Sequence, residues 1–470
     1  MPETVTRAAA TAPQRSRRPV QVYAVAAVSA LGGLLFGYDT GIISGALLYL
    51  RQDLHLSSQQ QEIVVGVILV GAMIGALVSG RLAGRHGRRR IVFWVAIVFA
   101  AGALGAAAAP DTGTLVAARL VLGLAVGGAS NMVPVYIAEV APPAIRGRLM
   151  VLFQLMVAIG QLIAYLCGWL LAGSGGWRVM FGLAVVPAAV LAFGMTRLPE
   201  SPRWLVEQGR PDAAGAVLRR LRPPEADIAA EIAGIREVSV SAPRQDSRAL
   251  LQPWLRPALV VALGVAAFSQ LTGINAIVYY APTILSDAGF GESVALVTGI
   301  GIGAMLVVAG ITGAIAVDAI GRRRTMLWFL PLSGLAMAVL GLAFLMHDSS
   351  AQHWIVIVAL FAYILCNGIG MQSVVWLIAP EILPLGVRGP ATSLATVTVW
   401  GFDLLIAATA LTAIDLVGRS GTFFLYAALN AVCVVFVLLK VPETRNRPLE
   451  DIERALRAPG SLRRNLAEPR

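Results

Sequence analysis

Twelve long apolar runs dominate the sequence and restrict it to folds that span a membrane. Each run has about 18–28 residues, enough for an α-helix to cross roughly 30 Å of hydrocarbon. Apolar residues make up 57% of the chain and charged residues 13%, against about 45–50% and 25% in ordinary globular proteins. The sequence therefore predicts an all-α membrane protein. The runs, called spans 1 to 12, are predicted at residues 22–48, 62–82, 91–109, 115–138, 150–172, 179–198, 257–285, 294–317, 325–346, 354–378, 391–414 and 421–441.

The positive charges indicate which ends of the spans face the cytoplasm. With a cytoplasmic N-terminus, 33 of the 37 lysines and arginines fall in the tails and loops on the cytoplasmic side. This is the positive-inside pattern of membrane proteins, so the net charge of +11 requires no nucleic-acid partner. The four exceptions are Arg51, Arg178, Arg419 and Arg119. We predict that both termini are cytoplasmic, that the chain sits in a lipid bilayer and that it binds no nucleic acid.

The sequence contains no pattern typical of a cofactor or a catalytic site. Cys167, Cys366 and Cys433 lie inside predicted spans, without the spacing of a disulfide framework or a metal site. There is no nucleophile–base pair, metal cluster or phosphate loop, which argues against an enzyme and predicts no cofactor. The first apolar run is too long for a signal peptide, so we interpret it as a retained helix.

A polar insert separates six spans from six spans. Its mixed charges, paired prolines and periodic stretch predict a few short amphipathic helices on the cytoplasmic side. The predicted division is a cytoplasmic tail at 1–21, a six-helix bundle at 22–198, a cytoplasmic linker at 199–256, a six-helix bundle at 257–441 and a cytoplasmic tail at 442–470.

Three short motifs occur in both halves in the same order, which indicates a duplicated six-helix unit. Duplicated halves are the usual construction of alternating-access carriers. The paired motifs are Gly-Arg-Arg-Arg at 87–90 and 321–324, Glu139 with Arg146 and Glu381 with Arg388, and Pro-Glu-Ser at 199–201 with Pro-Glu-Thr at 442–444.

Together with these repeats, three further motifs resemble the sugar porter family of the major facilitator superfamily. They are GGLLFGYDTG at 32–41, PESPRW at 199–204 and QLTGIN at 270–275. The resemblance covers residues 22–453 and implies the major facilitator fold of two pseudo-symmetric six-helix bundles. It also implies a sugar or polyol as the substrate. Short outer loops favour a bacterial plasma membrane, and we expect a functional monomer.

Two acidic residues lie deep in predicted spans, Asp39 in span 1 and Asp403 in span 11. A carboxylate at membrane depth is costly and is retained where it faces a partner or a cavity. Arg119, inside span 4, is the natural partner of Asp39. A carboxylate that pairs with arginine in one state and takes a proton in another can couple proton movement to transport. The resemblance also implies proton coupling at Asp39, while the alternative is a permanent structural ion pair.

Amides and aromatic side chains in the spans are candidates for binding a neutral polyhydroxylated ligand. Amides present both donors and acceptors, and flat rings suit the C–H face of a sugar. The alternative is that amides join helices and that rings fill packing gaps. The resemblance favours Gln154, Gln161, Gln270, Asn275 and Trp376, adds Tyr279 and Tyr280 as gating tyrosines, and leaves Trp400 and Asp403 as further candidates.

Asp403 departs from the family pattern, in which a neutral asparagine is usual three residues after the tryptophan of span 11. It could be a second titrating group or an acceptor for a substrate diol. The alternative is a carboxylate satisfied by neighbouring Ser, Thr or Asn side chains.

Charged residues at the cytoplasmic ends of the spans predict a latch that changes with conformation. Positive charge alone orients a membrane protein, so glutamates among these arginines are not needed for topology. We therefore favour ion pairs that form in the outward-open state and break on inward opening. The alternative is that the charges only enforce topology. The predicted latch residues are Arg88, Arg89, Glu139, Arg146, Asp318, Arg322, Arg323, Glu381 and Arg388.

The sequence thus predicts proton-coupled uptake of a neutral monosaccharide or polyol. A passive sugar or polyol facilitator, or an exporter of another small solute, could use the same scaffold. A sugar receptor that does not transport is the third possibility, and it would normally carry a longer signalling tail.

Overall fold

The structure is a computed structural model that describes residues 20–142, 145–172, 176–241, 250, 252–347, 349–445, 447, 449–458 and 462–467. All regular elements within these residues are helical. The first half contains α1 (Val20–Asp53), α2 (Ser58–His86), α3 (Arg88–Ala107), α4 (Thr112–Val140), α5 (Arg146–Leu170), α6 (Trp177–Gly182) and α7 (Val185–Arg197). Three short helices follow, α8 (Pro202–Glu207), α9 (Pro211–Leu221) and α10 (Ile228–Ser241).

The second half repeats this arrangement with more interruptions. Its helices are α11 (Arg256–Leu271), α12 (Ile274–Asp287), α13 (Glu292–Ile320), α14 (Arg322–Ala343), α15 (Ser350–Asn367), α16 (Ser373–Ile382), α17 (Leu385–Ala407), α18 (Ala410–Lys440), α19 (Leu449–Arg457) and α20 (Leu462–Ala467). In the described part of the chain, twelve segments are long and apolar enough to cross a membrane. The prediction of twelve spans is confirmed. Three of the segments combine two helices: α6 with α7, α11 with α12, and α15 with α16.

The break between α11 and α12 falls beside the predicted substrate residues. Gly273 has φ of +95°, a conformation that only glycine adopts readily. A Cβ atom there would lie 2.8 Å from the ring of Tyr426. Both the backbone angle and the close approach therefore require glycine, and the break places Gln270 and Asn275 at the ends of two separate helices.

The predicted boundary between spans 11 and 12 is wrong. Span 11 was predicted to run to residue 414, but α17 ends at Ala407 and α18 begins at Ala410. The conformation of Gly418, with φ of 74°, interrupts α18 where span 12 was expected to begin. The charged residues Asp415 and Arg419 suggested a boundary between the spans, but they lie inside α18, whereas the actual turn carries no charge, so hydropathy alone could not locate it.

Small residues allow helices in the first half to approach closely, as is common in membrane proteins. A Cβ atom on Gly75 of α2 would lie 2.1 Å from the Leu124 carbonyl oxygen of α4. A Cβ atom on Gly127 of α4 would likewise lie 1.9 Å from the Ala72 carbonyl oxygen. This contact fixes α2 against α4, the helix that carries Arg119.

Among the described residues, the polar contacts between the halves lie at one end of the molecule, where α1 and α12 end. The hydroxyl of Tyr165 on α5 donates to the Val278 carbonyl oxygen on α12, at 2.8 Å. Arg51 at the end of α1 pairs with Asp287 at the end of α12, at 2.6 Å. Glu62 on α2 accepts hydrogen bonds from Thr412 on α18. The halves thus meet on the side where α1 and α12 end.

Candidate functional site

Asp39 and Arg119 form a buried ion pair between α1 and α4. One guanidinium nitrogen of Arg119, Nη1, lies 3.0 Å from Oδ1 and 3.1 Å from Oδ2 of Asp39. The side chains are 4% and 1% exposed. Arg119 Nε also donates to the Val64 carbonyl oxygen at 3.2 Å, and the guanidinium lies 5.8 Å from the ring centre of Phe181. The predicted partner of Asp39 is therefore in contact with it.

A cavity beside this ion pair is lined from both halves of the molecule. Phe36, Asp39 and Arg119 contribute from the first half, and Tyr279 and Trp400 from the second. The ring centres of Phe36 and Trp400 are 5.5 Å apart. Tyr279 on α12 and Trp400 on α17 therefore line the same cavity as the ion pair, so a change in that pair alters their surroundings.

Asp403 is buried near this cavity and is bound to a predicted gating tyrosine. The Tyr279 hydroxyl donates to Asp403 Oδ2 at 3.2 Å, and Asp403 is 3% exposed. Within the described residues, Asp403 Oδ1 has no hydrogen-bond partner and no cation lies within 4 Å of the carboxylate. The indole Nε1 of Trp400, three residues earlier on α17, also lacks a partner in the described structure. Residues three apart share a helix face, so the unpaired donor of Trp400 and the unpaired acceptor of Asp403 lie about one turn apart on the same face of α17.

The amide side chains predicted to bind substrate differ in their exposure and in their hydrogen bonds. Asn275 Nδ2 donates to Gln270 Oε1 at 2.8 Å across the break in the helix, so these two are already joined. Gln161 on α5 is 9% exposed, whereas Gln154, nearly two turns earlier, is exposed. Trp376 on α16 is 43% exposed.

Tyr280 ties α12 to the end of α17. Its hydroxyl donates to the Ala407 carbonyl oxygen at 2.6 Å, and its ring packs edge-on against Tyr279 at 6.3 Å. The two tyrosines therefore hold α12 against α17 at neighbouring positions.

A charged network lies where α2 ends, α3 begins and α4 ends. Arg88 pairs with Glu139 at 2.9 Å, and the Ser201 hydroxyl donates to Glu139 at 2.5 Å. Glu200 Oε1 accepts the Arg89 backbone N–H at 3.0 Å. The carboxylate of Glu200 thus occupies the N-terminus of α3, where backbone N–H groups otherwise lack partners.

The second half contains the same network at equivalent positions. Arg322 pairs with Glu381 at 2.7 Å, and the Thr444 hydroxyl donates to Glu381 at 2.5 Å. Glu443 accepts the backbone N–H groups of Arg322 and Arg323 at 2.9 and 3.1 Å. Sequence reasoning missed Glu200 and Glu443 as members of these networks. The signal was available, since both belong to the third repeated motif.

The other predicted latch residues have weaker or different partners. Arg89 and Arg323 donate to the carbonyl oxygens of Leu198 and Leu438, and Arg388 donates to that of Leu383. Asp318 is 85% exposed and lies 3.9 Å from Arg322. Arg146 is exposed and forms no ion pair with any of the described residues. Only Arg88 and Arg322 therefore pair with the predicted glutamates.

Glu62 is a third buried acidic residue that the predicted spans did not identify. Span 2 was predicted to begin at residue 62, but α2 begins at Ser58 and Glu62 is 4% exposed. A charge beside a predicted helix end resembles an ordinary boundary residue, so the sequence offered no sign of its burial.

The family is shown by the match of residues 25–456 to the model described as "Sugar (and other) transporter". The chain belongs to this family. It is 40% identical over 432 residues to the D-xylose transporter of Levilactobacillus brevis, covering 91% of this chain and 94% of the relative. It is 38% identical over 437 residues to the glucose transporter GlcP of Staphylococcus epidermidis, covering 93% and 97%.

A solved structure extends the similarity to the fold. The proton:xylose symporter XylE, bound to 6-bromo-6-deoxy-D-glucose, is 26% identical and superposes with a TM-score of 0.77, covering 93% of this chain and 99% of that one. The chain is therefore a multi-pass sugar transporter of the major facilitator superfamily and not an enzyme.

Proposed function

We propose that this transporter takes up a neutral monosaccharide or polyol together with a proton, by alternating access across a bacterial plasma membrane. Both termini face the cytoplasm, as the positive-inside pattern favours. The molecule acts as a monomer whose six-helix halves, 22–198 and 257–441, move about the central cavity.

The Asp39–Arg119 pair is the observation on which this proposal mainly rests. A buried ion pair is stable only while both charges are present, and removing one partner typically costs about 3–5 kcal/mol. A proton on Asp39 removes the negative charge and loosens the contact of α1 with α4. The adjoining cavity is lined from both halves, so this loosening acts where the halves meet. In the inward-open state Asp39 releases the proton to the cytoplasm and pairs with Arg119 again.

The substrate class is supported by the amide side chains of the spans and by the relatives. Amides offer donors and acceptors without charge, which suits hydroxyl groups. The xylose and glucose transporters among the relatives make a monosaccharide the first candidate. The proposed contacts are Gln154, Gln161, Gln270, Asn275, Tyr279, Trp376, Trp400 and Asp403.

Uptake by purified protein in proteoliposomes tests both parts of the proposal. Radiolabelled D-xylose, D-glucose and myo-inositol are offered with and without an imposed proton gradient. We expect the gradient to drive accumulation of at least one of these solutes. We expect Asp39→Asn to lose gradient-driven accumulation while retaining exchange of labelled for unlabelled sugar. Accumulation that ignores the gradient removes proton coupling and leaves sugar transport in place.

A passive facilitator or an exporter of another small solute is the second candidate. It is favoured by the near-complete burial of the ion pair and by the additional bond of Arg119 to the Val64 carbonyl oxygen. Both features suit a permanent structural contact. In that case Asp39→Asn lowers the stability of the protein without changing the proton dependence of transport.

A further inference from the structure

The contacts that close the outer side of the transporter can be ranked by their physical strength. We call the contact region between the outer ends of the two halves the outer seam. Among the described residues, the polar contacts that cross it are Tyr49 with Glu292, Arg51 with Asp287, Tyr165 with Val278, and Glu62 with Thr412. Outward opening has to break these contacts.

Two of these contacts are exposed and contribute little. The side chains of Arg51 and Asp287 are 22% and 46% exposed, and Glu292, the partner of Tyr49, is also exposed. Water and salt compete with such pairs, so they barely resist separation. The Tyr165 hydrogen bond is buried but joins two neutral groups.

Glu62 makes the strongest polar contact across the outer seam. Its Oε1 accepts the Thr412 backbone N–H at 2.8 Å, and its Oε2 accepts the Thr412 hydroxyl at 2.7 Å. Both carboxylate oxygens are used, and the residue is 4% exposed. Hydrogen bonds to a charged group are roughly twice as strong as those between neutral groups.

Thr412 lies in the first turn of α18, and this position explains why a carboxylate binds there. The first N–H groups of a helix lack partners within the helix and carry partial positive charge. Thr409, which precedes α18, makes no side-chain capping bond. Glu62 therefore supplies the cap of α18 from the opposite half. Across the described residues, no ion pair gives Glu62 a cation as an alternative partner.

Water can reach this contact from the outer side. A cavity of about 100 Å³ lies beside it and is lined by residues of α2, α12 and α18. One water molecule needs about 10–15 Å³ of cavity volume, so this cavity can hold several. Gln61 Oε1 and Thr283 Oγ1 line this cavity and have no partner in the described structure. The cavity has room for water that would satisfy these atoms and would hydrate Glu62 and the start of α18 as the halves separate.

We propose that Glu62 is a gating residue that holds the outer path closed by capping α18 across the outer seam. This inference rests on the alternating access proposed above. Each outward opening exchanges the Glu62–Thr412 bonds for water, and each closure restores them. Removing the charge on Glu62 shifts the population toward the outward-open state, because only the closed state contains the cap.

The test measures how readily the outer path opens in intact cells. Ser44 on α1 is fully buried beneath the outer seam, and Ser44→Cys changes one atom. The reporter is placed in a chain whose three native cysteines are replaced, and labelling uses a membrane-impermeant maleimide. We expect Glu62→Gln to increase the labelling rate about tenfold, which corresponds to about 1.4 kcal/mol. Thr412→Val, which keeps the backbone donor and loses the hydroxyl, should raise it less.

Asp415→Asn is the matched control, because Asp415 is an exposed carboxylate on the same helix. It should leave labelling unchanged, and Glu62→Asp should restore most of the closure. If Glu62→Gln does not fold, as judged by size-exclusion chromatography, Thr412→Val decides the result. Labelling rates equal to those of Asp415→Asn overturn the inference.

Addition of D-xylose separates failure of this inference from failure of the proposed function. If sugar changes labelling of Ser44→Cys in the wild-type background but Glu62→Gln has no effect, alternating access stands and the role of Glu62 is rejected. If none of the offered sugars changes labelling or is transported, the proposed function is rejected.

Discussion

Each half of this transporter carries a buried carboxylate near the central cavity, Asp39 in the first half and Asp403 in the second, and their surroundings differ. Asp39 has a full positive charge as its partner, so its ionised form is stabilised by Arg119. Asp403 has a tyrosine hydroxyl on one oxygen and no partner in the described structure on the other. An ionised group without a cation is costly to bury, so we expect the state of Asp403 to respond to what enters the cavity beside Tyr279.

Replacing Asp403 by asparagine tests this dependence on the contents of the cavity. Asparagine keeps the shape but replaces one acceptor oxygen with a donor, so a substrate hydroxyl that donates to Asp403 loses its partner. We expect the apparent affinity for the transported sugar to fall about tenfold, or about 1.4 kcal/mol, with an altered pH profile of uptake. Asp415→Asn is the control. Unchanged affinity together with an unchanged pH profile would reject a role in binding.

A double substitution separates the structural and coupling roles of Asp39. Asp39→Asn leaves Arg119 buried without its charge partner, which should lower the free energy of unfolding by about 3–5 kcal/mol. Adding Arg119→Leu removes the unpaired charge and should restore much of that stability. Thermal unfolding in detergent measures the effect, and uptake under a proton gradient should remain absent in both variants. Recovery of coupling in the double variant would contradict our assignment.

The beginnings of α3 and α14 show how one motif builds the same joint twice. Gly87 and Gly321 precede these helices and both have φ of +95°. A Cβ atom would lie 2.3 Å from a carboxylate oxygen of Glu200 at the first position and 2.6 Å from one of Glu443 at the second. The glycines therefore allow each glutamate to reach the N-terminus of its helix. These networks lie within a half, so whether they loosen during transport stays a prediction.

Alanine in place of Gly87 or Gly321 should disturb the contact between the glutamate and the N-terminus of the helix. Gly87→Ala and Gly321→Ala combine a conformation that costs about 1–3 kcal/mol with a clash against a carboxylate. We expect the midpoint of thermal unfolding to fall and transport to decrease. Gly84→Ala is the matched control, because Gly84 is helical and a Cβ atom there meets nothing within 4 Å. A similar loss in all three variants would show that the clash is not the cause.

We predict that the charge distribution orients the whole molecule, and this orientation can be measured directly. Asp415 lies near the beginning of α18, the end of that helix that we place outside, and Glu453 lies on α19, which we place in the cytoplasm. In a chain without native cysteines, Asp415→Cys should react with an impermeant maleimide in intact cells. Glu453→Cys should react only after the cells are permeabilised. The reverse pattern would invert the orientation.

Much of this architecture follows from sequence patterns that act locally. A run of apolar residues has to become a helix in hydrocarbon, because its backbone groups find no other partners there. Hydropathy therefore predicted twelve spans, and the spacing of the repeats predicted two related halves. Where charged residues lie inside a helix and the turn before it has none, as Asp415 and Arg419 do in α18, the predicted boundary was wrong.

The sequence by itself determined the membrane class, the family and the pairing of Asp39 with Arg119, because each depends on composition, a motif or the scarcity of charge in apolar spans. Only the tertiary structure brought Glu62 to Thr412, 350 residues away, and Tyr279 to Asp403, 124 residues away. The reason is that a hydrogen bond depends on distance in space, and no local pattern records which helix end a carboxylate will meet.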